Sequence, residues 1–290
     1  MKNPFQFGKI IQDDAFCNRM EELKTLKNHI KNGYSVWLYS PRRYGKTSLI
    51  YKTFRETTDI VTIYFDLYNI HNIEEFLNKY AEEITKSLYD WKDDLKNITR
   101  KIGDFFTGLY PKFSIDSDSN FSMELAVKTL NNHQNIETVL NAPELIAKKK
   151  NIKVCIAFDE FQEVVNIHPQ LVRWMRSVFQ NHSNVSYIFL GSRQSLMESI
   201  FTDTKSVFYE FGIKMDIKAI SKNDWIKYIH SKFKSTGLDI SENIILDILK
   251  ISEGHPHFTQ YFYSVVWDLI YEEIDPDNED FTQFWLNRII

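Results

Sequence analysis

Hydrophobic and polar positions in this chain follow two periods that alternate along its length. Continuous apolar runs of strand length fall at residues 35–39, 60–65, 153–158, 185–190 and 208–213. Runs without a polar face predict strands buried on both sides, as in a parallel sheet. Between them the spacing becomes helical, over residues 47–54 and over residues 73–91, where Phe76, Leu77, Tyr80, Ile84 and Leu88 share one stripe. This succession predicts an α/β fold, a parallel sheet covered by helices. Beyond it only helical spacing continues. Ser221 is a candidate N-cap for a helix over 221–233, residues 241–251 repeat the arrangement, 258–271 extend it, and Asp275-Pro276-Asp277-Asn278 breaks the chain. The expected organisation is a core over residues 1–217 and a small all-helical domain over 218–290. Residues Pro111 to Ser122 are rich in Ser and Asp, so a flexible surface insertion is expected over about 104–122.

Composition fits one large α/β core with a smaller appended domain. Of 290 residues, 43% are hydrophobic and 26% charged, which argues against disorder, and 22 Phe and 15 Tyr supply aromatic bulk. A net charge of −4 gives no overall drive toward nucleic acid. Lys148-Lys149-Lys150 with Lys153 form a local basic cluster, read as a solvated helix end. Cys17 and Cys155 are far apart and lack metal-type spacing, so neither a disulfide framework nor a zinc site is expected, and Cys155 reads as core. Met1-Lys2-Asn3-Pro4-Phe5 lacks the apolar segment of a signal peptide, and no run approaches the length of a membrane span. A cytoplasmic protein without a membrane partner is expected.

The most specific signal lies between the first strand and the first helix. Ser40-Pro41-Arg42-Arg43-Tyr44-Gly45-Lys46-Thr47 matches the phosphate-binding pattern G-x-x-x-x-G-K-[ST] except at its first residue. In that strand–loop–helix context backbone N–H groups and the helix N-terminus cradle phosphates. Lys46 would reach the β- and γ-phosphates, Thr47 would ligate Mg²⁺, and Ser48 extends the loop into the helix. Ser40 tolerates fewer conformations than glycine, so the loop must open in a region ordinary residues adopt. Pro41 stiffens the entry. Arg42 and Arg43 are extra cations, read equally as phosphate contacts or as partners of acidic residues in the sheet or the helical domain.

The strand over 153–158 runs into Asp159-Glu160. Two carboxylates at the carboxyl end of a strand can divide the work, Asp159 holding Mg²⁺ through water and Glu160 polarising the attacking water. The competing reading is a cap of the following helix. The strand over 185–190 ends in Gly191-Ser192-Arg193, where Arg193 either senses the γ-phosphate or is an ordinary surface arginine.

Phe16-Cys17-Asn18-Arg19-Met20-Glu21-Glu22-Leu23, Ser40 to Leu49, Ala157-Phe158-Asp159-Glu160-Phe161-Gln162, Gly191-Ser192-Arg193 and Gly254-His255-Pro256 occur in one order. Together they resemble the archaeal-type P-loop ATPases of the STAND class, relatives of the AAA+ and origin-recognition ATPases. The resemblance implies an AAA+-like P-loop core with a helical lid, and ATP with Mg²⁺ as cofactors. It also implies that Arg19 and Glu22 lie against the base and order the entrance, that Pro256 packs near the base, and that Arg193 contacts the γ-phosphate. Members usually continue into a winged-helix domain, which is expected to be absent here, and Phe284-Trp285-Leu286-Asn287-Arg288-Ile289-Ile290 would need a partner surface.

Three functions are compatible with these residues. The first is a slow ATPase acting as a nucleotide-controlled switch between ATP and ADP states, with an unknown protein partner or self-association. The second is a DNA-associated ATPase module using the Lys148 to Lys153 cluster. The third is a nucleotide-binding assembly scaffold without significant hydrolysis. Arg173 and Arg176 leave open an arginine donated between subunits.

Overall fold

The computed structural model describes residues 1–11, 13–89, 105–106, 109–115, 121–126 and 133–272. By their contacts they divide into two units that do not follow chain order. One comprises Met1–Lys24, Ser40–Thr53 and Ile217–Ile290, the other Thr25–Tyr39 and Phe54–Asp216. The N-terminal segment and the phosphate loop therefore group with the C-terminal helices.

The sheet unit holds β1 (Val36–Tyr39), β2 (Val61–Asp66), β5 (Val154–Asp159), β6 (Val185–Gly191) and β7 (Ile213–Asp216), all parallel, in the order β2-β5-β6-β1-β7. Every residue of β5 and β6 is buried, which is why both read as unbroken apolar runs. The register pairs Asp66 with Asp159 and Tyr39 with Gly191, so all four close their strands at the carboxyl edge. Around the sheet lie α1 (Met20–Lys31), whose first turns belong to the other unit, α3 (Ile73–Leu88), α4 (His133–Lys150), α5 (Val164–Ile167), α6 (Leu171–Phe179) and α7 (Gln194–Phe201). Helix α2 (Lys46–Arg55) follows the phosphate loop. The abundance of phenylalanine is explained by one buried stack. Phe158 lies parallel to Phe189 at 5.9 Å, and Phe161, Phe201 and Phe208 close around Phe189 at 4.5, 5.3 and 5.6 Å. Each such ring contributes roughly 1.5–3 kcal/mol by burial alone.

Two expectations are corrected. Residues 110–115 and 121–126 are not loop but an antiparallel hairpin, β3 (Tyr110–Ile115) with β4 (Phe121–Ala126). The polar composition hid a period of two, in which Met123 and Leu125 are buried while Ser122 and Glu124 are exposed. The fifth sheet strand begins at Ile213, not Phe208. Phe208 is buried in a turn against the aromatic stack, and Gly212 at φ +102° leads into a strand whose first N–H bonds Ser35 O at 2.8 Å. Trp91, expected at the end of α3, and the segments 275–278 and 284–290 lie outside the described residues. Cys155 is core as expected, its thiol pushed up to about 12 by burial.

The helical unit contains α8 (Lys222–Ser235), α9 (Glu242–Ser252) and α10 (Pro256–Tyr271). Ser221 caps α8 as predicted, its hydroxyl accepting from Asp224 N at 3.1 Å. Trp225, Ile229, Phe233, Ile245, Ile248, Tyr263 and Trp267 form its core, into which the N-terminal segment inserts Phe5 and Cys17. Three of its buried polar side chains are matched. Trp225 Nε1 donates to Gly254 O at 3.1 Å, Trp267 Nε1 to Thr236 Oγ1 at 2.9 Å, and Tyr263 Oη to Ile245 O at 2.7 Å. Among the described residues no helix is long and apolar enough to cross a membrane.

Candidate functional site

Ser40 leaves β1 and Gly45 ends the loop at φ +85°, a left-handed conformation open to glycine at little cost, with nothing within 4 Å of the position of an added Cβ. Glycine is needed there for its backbone, not for space. Ser40 is buried and keeps a negative φ, so serine fits without strain, as the sequence required. Lys46 opens α2 and turns its amine back over the loop, donating to Ser40 O at 2.9 Å and Pro41 O at 3.2 Å. Thr47 is half-buried in the same first turn, and Ser48 Oγ accepts the N–H of Ile11 at 2.9 Å, pinning the N-terminal segment to the helix. Pro41, Arg42 and Arg43 are exposed.

Arg19 is 5% exposed and acts as a clamp. Its guanidinium donates to Tyr44 O of the loop at 2.9 Å, to Lys218 O at 3.0 Å and to Glu22 Oε1 at 3.1 Å. Burial lowers its affinity for the proton, and Glu22 opposes that loss. These bonds tie the N-terminal segment to the loop and to the chain at Lys218. Arg43, at φ +64°, meets His257 Nε2 at 3.1 Å. Burial and then Arg43 hold His257 below the usual histidine range, and the guanidinium, which can only donate, makes the ring nitrogen the acceptor. Tyr44 packs edge-on against His255 at 4.7 Å. Pro256 occupies the first turn of α10, preceded by Gly254 at φ +68°, where a Cβ would lie 2.9 Å from Ile220 O. Thus Arg19, residues 40–48 and the start of α10 are brought together in one unit.

The sheet unit assembles the carboxylates. Asp159 is buried at the end of β5, one oxygen accepting from Tyr64 Oη and the other from Glu160 N at 2.8 Å. Beside it on β2, Asp66 has its carboxyl pushed up by burial, with Asp159 and Glu160 adding to the effect against the Tyr68 N–H. Glu160 stands in the left-handed region at φ 50°, and its Oε2 accepts from Ser192 Oγ at 2.7 Å and from Gln162 Nε2. Arg193 is exposed at the start of α7, with its guanidinium 3.8 Å from Glu163. Sequence reasoning missed Tyr64, Gln162 and the involvement of Ser192 with Glu160. The only available signal was position at a strand end, since these contacts depend on the register between strands. Arg176 is tied to Val207 O at 3.0 Å and lies over Phe211, whereas Arg173 is exposed.

A model of ATPase domains predominantly from Archaea matches residues 16–260. No curated protein matches the chain. Solved structures do. The Walker-type ATPase of Pyrococcus abyssi is 18% identical with a TM-score of 0.64, covering 91% of this chain and 71% of its own. The ORC1 protein of Aeropyrum pernix, solved in complex with DNA, is 10% identical with a TM-score of 0.57, over 96% of this chain and 66% of its own. A STAND protein with a tetratricopeptide repeat sensor from Pyrococcus horikoshii is 14% identical with a TM-score of 0.51, over 93% of this chain and 34% of its own. These likenesses share the P-loop, AAA+-like fold. With its phosphate loop, its strand-end carboxylates and a family match over most of its length, the chain belongs to the ATPase domains found predominantly in Archaea and is an ATPase.

Proposed function

We propose that the chain binds ATP with Mg²⁺ and hydrolyses it as a nucleotide-controlled switch. Lys46 and the loop N–H groups neutralise the phosphates. The fit to Mg²⁺ rests on donor chemistry: Thr47 and Asp159 are hard oxygen ligands, and beside Asp159 the Asp66 carboxyl is pushed up first by burial, with Asp159 and Glu160 adding to it. Bound there, Mg²⁺ would offset charge on the phosphates. Glu160 serves as general base for the attacking water, and Arg193, released from Glu163, senses the γ-phosphate. Arg19 keeps the loop in place through Tyr44 and supports the base-binding side with Pro256.

The switch reading is carried by one observation, the contact of the loop itself with α10. Arg43 meets His257 and Tyr44 meets His255, so a phosphate that draws Arg43 or reshapes the loop changes what holds α10. Turnover is slow on this reading, because the γ-phosphate selects between states. The lysines on which a DNA reading would rest have partners within the chain. Lys148 pairs with Glu144 at 3.1 Å, Lys149 and Lys150 lie over Phe105 and Tyr89, and Lys153 bonds Ser183 O and Asn184.

Glu160→Gln tests the proposal. It should retain ATP, lose hydrolysis, and in hydrogen exchange hold residues 40–48 and 255–262 in the ATP-bound pattern, whereas wild type relaxes to the ADP pattern. Equal low hydrolysis by wild type and variant would instead mark a scaffold. A pull-down with Glu160→Gln held in ATP would then identify what reads the switch, a protein partner or a second copy.

A further inference from the structure

We infer that Gln162 is the positioning residue of the hydrolytic reaction, acting with Ser192 to fix the carboxylate of Glu160; the inference rests on the reading of Glu160 as general base. Gln162 is 1% exposed and lies in the 3-10 turn Phe161–Glu163 that follows β5. Its Nε2 donates to Glu160 Oε2, which also accepts Ser192 Oγ at 2.7 Å from the end of β6. Both donors converge on one oxygen. The other, Oε1, takes no hydrogen bond among the described residues, which leaves it to receive the proton of a water. A carboxylate with one oxygen fixed from two elements has lost its rotational freedom before the reaction begins, the condition under which a base works most efficiently.

Three further features support the assignment. The amide is oriented by Glu160, because its oxygen facing the carboxylate would be repelled, so Gln162 Oε1 points away. That oxygen is buried and has no hydrogen-bond partner among the described residues, a cost that a purely structural side chain would be expected to shed. Gly191 makes room for it: a Cβ there would lie 2.8 Å from Gln162 Oε1 and 2.3 Å from Met197 Cγ. Glu160 meanwhile stands at φ 50°, unusual for a residue with a side chain. The orphaned acceptor, the room left at Gly191 and the strained backbone all accompany the pose of one carboxylate.

The experiment is a double-mutant cycle read by single-turnover ATP hydrolysis, nucleotide titration and thermal melting. Gln162→Met removes donor and orphan together at similar volume. It should lower the hydrolysis rate about tenfold, within the roughly 10²–10⁴-fold that a general base contributes. Nucleotide affinity should stay unchanged, and the melting temperature should hold or rise because an unsatisfied buried acceptor has gone. In the Glu160→Gln background the same substitution should change nothing further. Ser192→Ala should behave alike, with Ser192→Thr restoring the rate, which keeps the test open should Gln162→Met fold poorly. An unchanged rate in Gln162→Met, or an equal loss in both backgrounds, overturns this inference and leaves the base assignment standing. An unchanged rate in Glu160→Gln overturns the base assignment, and this inference with it.

Discussion

Removal of the Arg19 guanidinium should loosen the phosphate loop and the helical unit together. Its donors satisfy Tyr44 O at 2.9 Å, Lys218 O at 3.0 Å and Glu22 Oε1 at 3.1 Å. Hydrogen bonds from a charged donor contribute about 1.5–3 kcal/mol each, but Glu22 is a quarter exposed and can turn to water, so the two carbonyl bonds dominate. Arg19→Ala should therefore cost about 3 kcal/mol. Arg19 also stands at φ 69°, where any residue with a Cβ is strained by roughly 1–2 kcal/mol. Arg19→Gly loses the same bonds but not that strain, so it should be more stable than Arg19→Ala by about 1 kcal/mol. Urea unfolding followed by tryptophan fluorescence, with Trp225 and Trp267 reporting the helical unit, measures both. Nucleotide titration should show weaker binding in both variants, because Tyr44 is no longer held. A destabilisation below about 0.5 kcal/mol, the range of a featureless surface site, would refute the clamp. Arg19→Gly proving less stable than Arg19→Ala would refute the role assigned to its backbone.

His182 is half-buried between Tyr187 Oη at 2.6 Å and Asn141 Oδ1 at 2.9 Å, and loss of solvent pulls it from 6.5 to about 4. The unfolded chain therefore takes up a proton before the folded one does, so stability is complete above pH 6.5 and falls toward pH 4 by an amount on the order of 3 kcal/mol; His182→Gln should flatten that slope in urea titrations across the range. Gly254→Ala should cost roughly 2–3 kcal/mol, from the left-handed backbone and the approach to Ile220 O, read as a lowered melting temperature. Ser40→Gly should cost about 0.5–1 kcal/mol through chain entropy and leave nucleotide affinity near wild type, since the loop does not need glycine there. A marked gain in affinity on that substitution would contradict the loop geometry.

The central strands were legible because burial on both faces leaves an apolar run with no competing signal, as in β5 and β6. The loop and Asp159-Glu160 were legible because their chemistry demands particular residues in adjacent positions. What escaped depends on contacts far apart in sequence. The hairpin of β3 and β4 looked like a loop because its outward positions are Ser, Lys and Glu, and β7 was displaced because Phe208 serves the aromatic stack instead of a strand. Arg43 carries a charge that suggested a phosphate or an acidic partner, yet meets a histidine. The holders of the carboxylates, Tyr64, Ser192 and Gln162, are ordinary residues that acquire a role only through the register of β2, β5 and β6.

The claim that the loop after β1 binds ATP is tested most directly by titrating Lys46→Ala with ATP and Mg²⁺ beside wild type, with thermal melting to confirm the fold. The Lys46 amine already spans the loop carbonyls of Ser40 and Pro41, where its charge would meet the phosphates. Losing one charged hydrogen-bonding group at the upper end of its usual range should weaken ATP binding about a hundredfold with the fold intact. ATP binding by Lys46→Ala with wild-type affinity would contradict it.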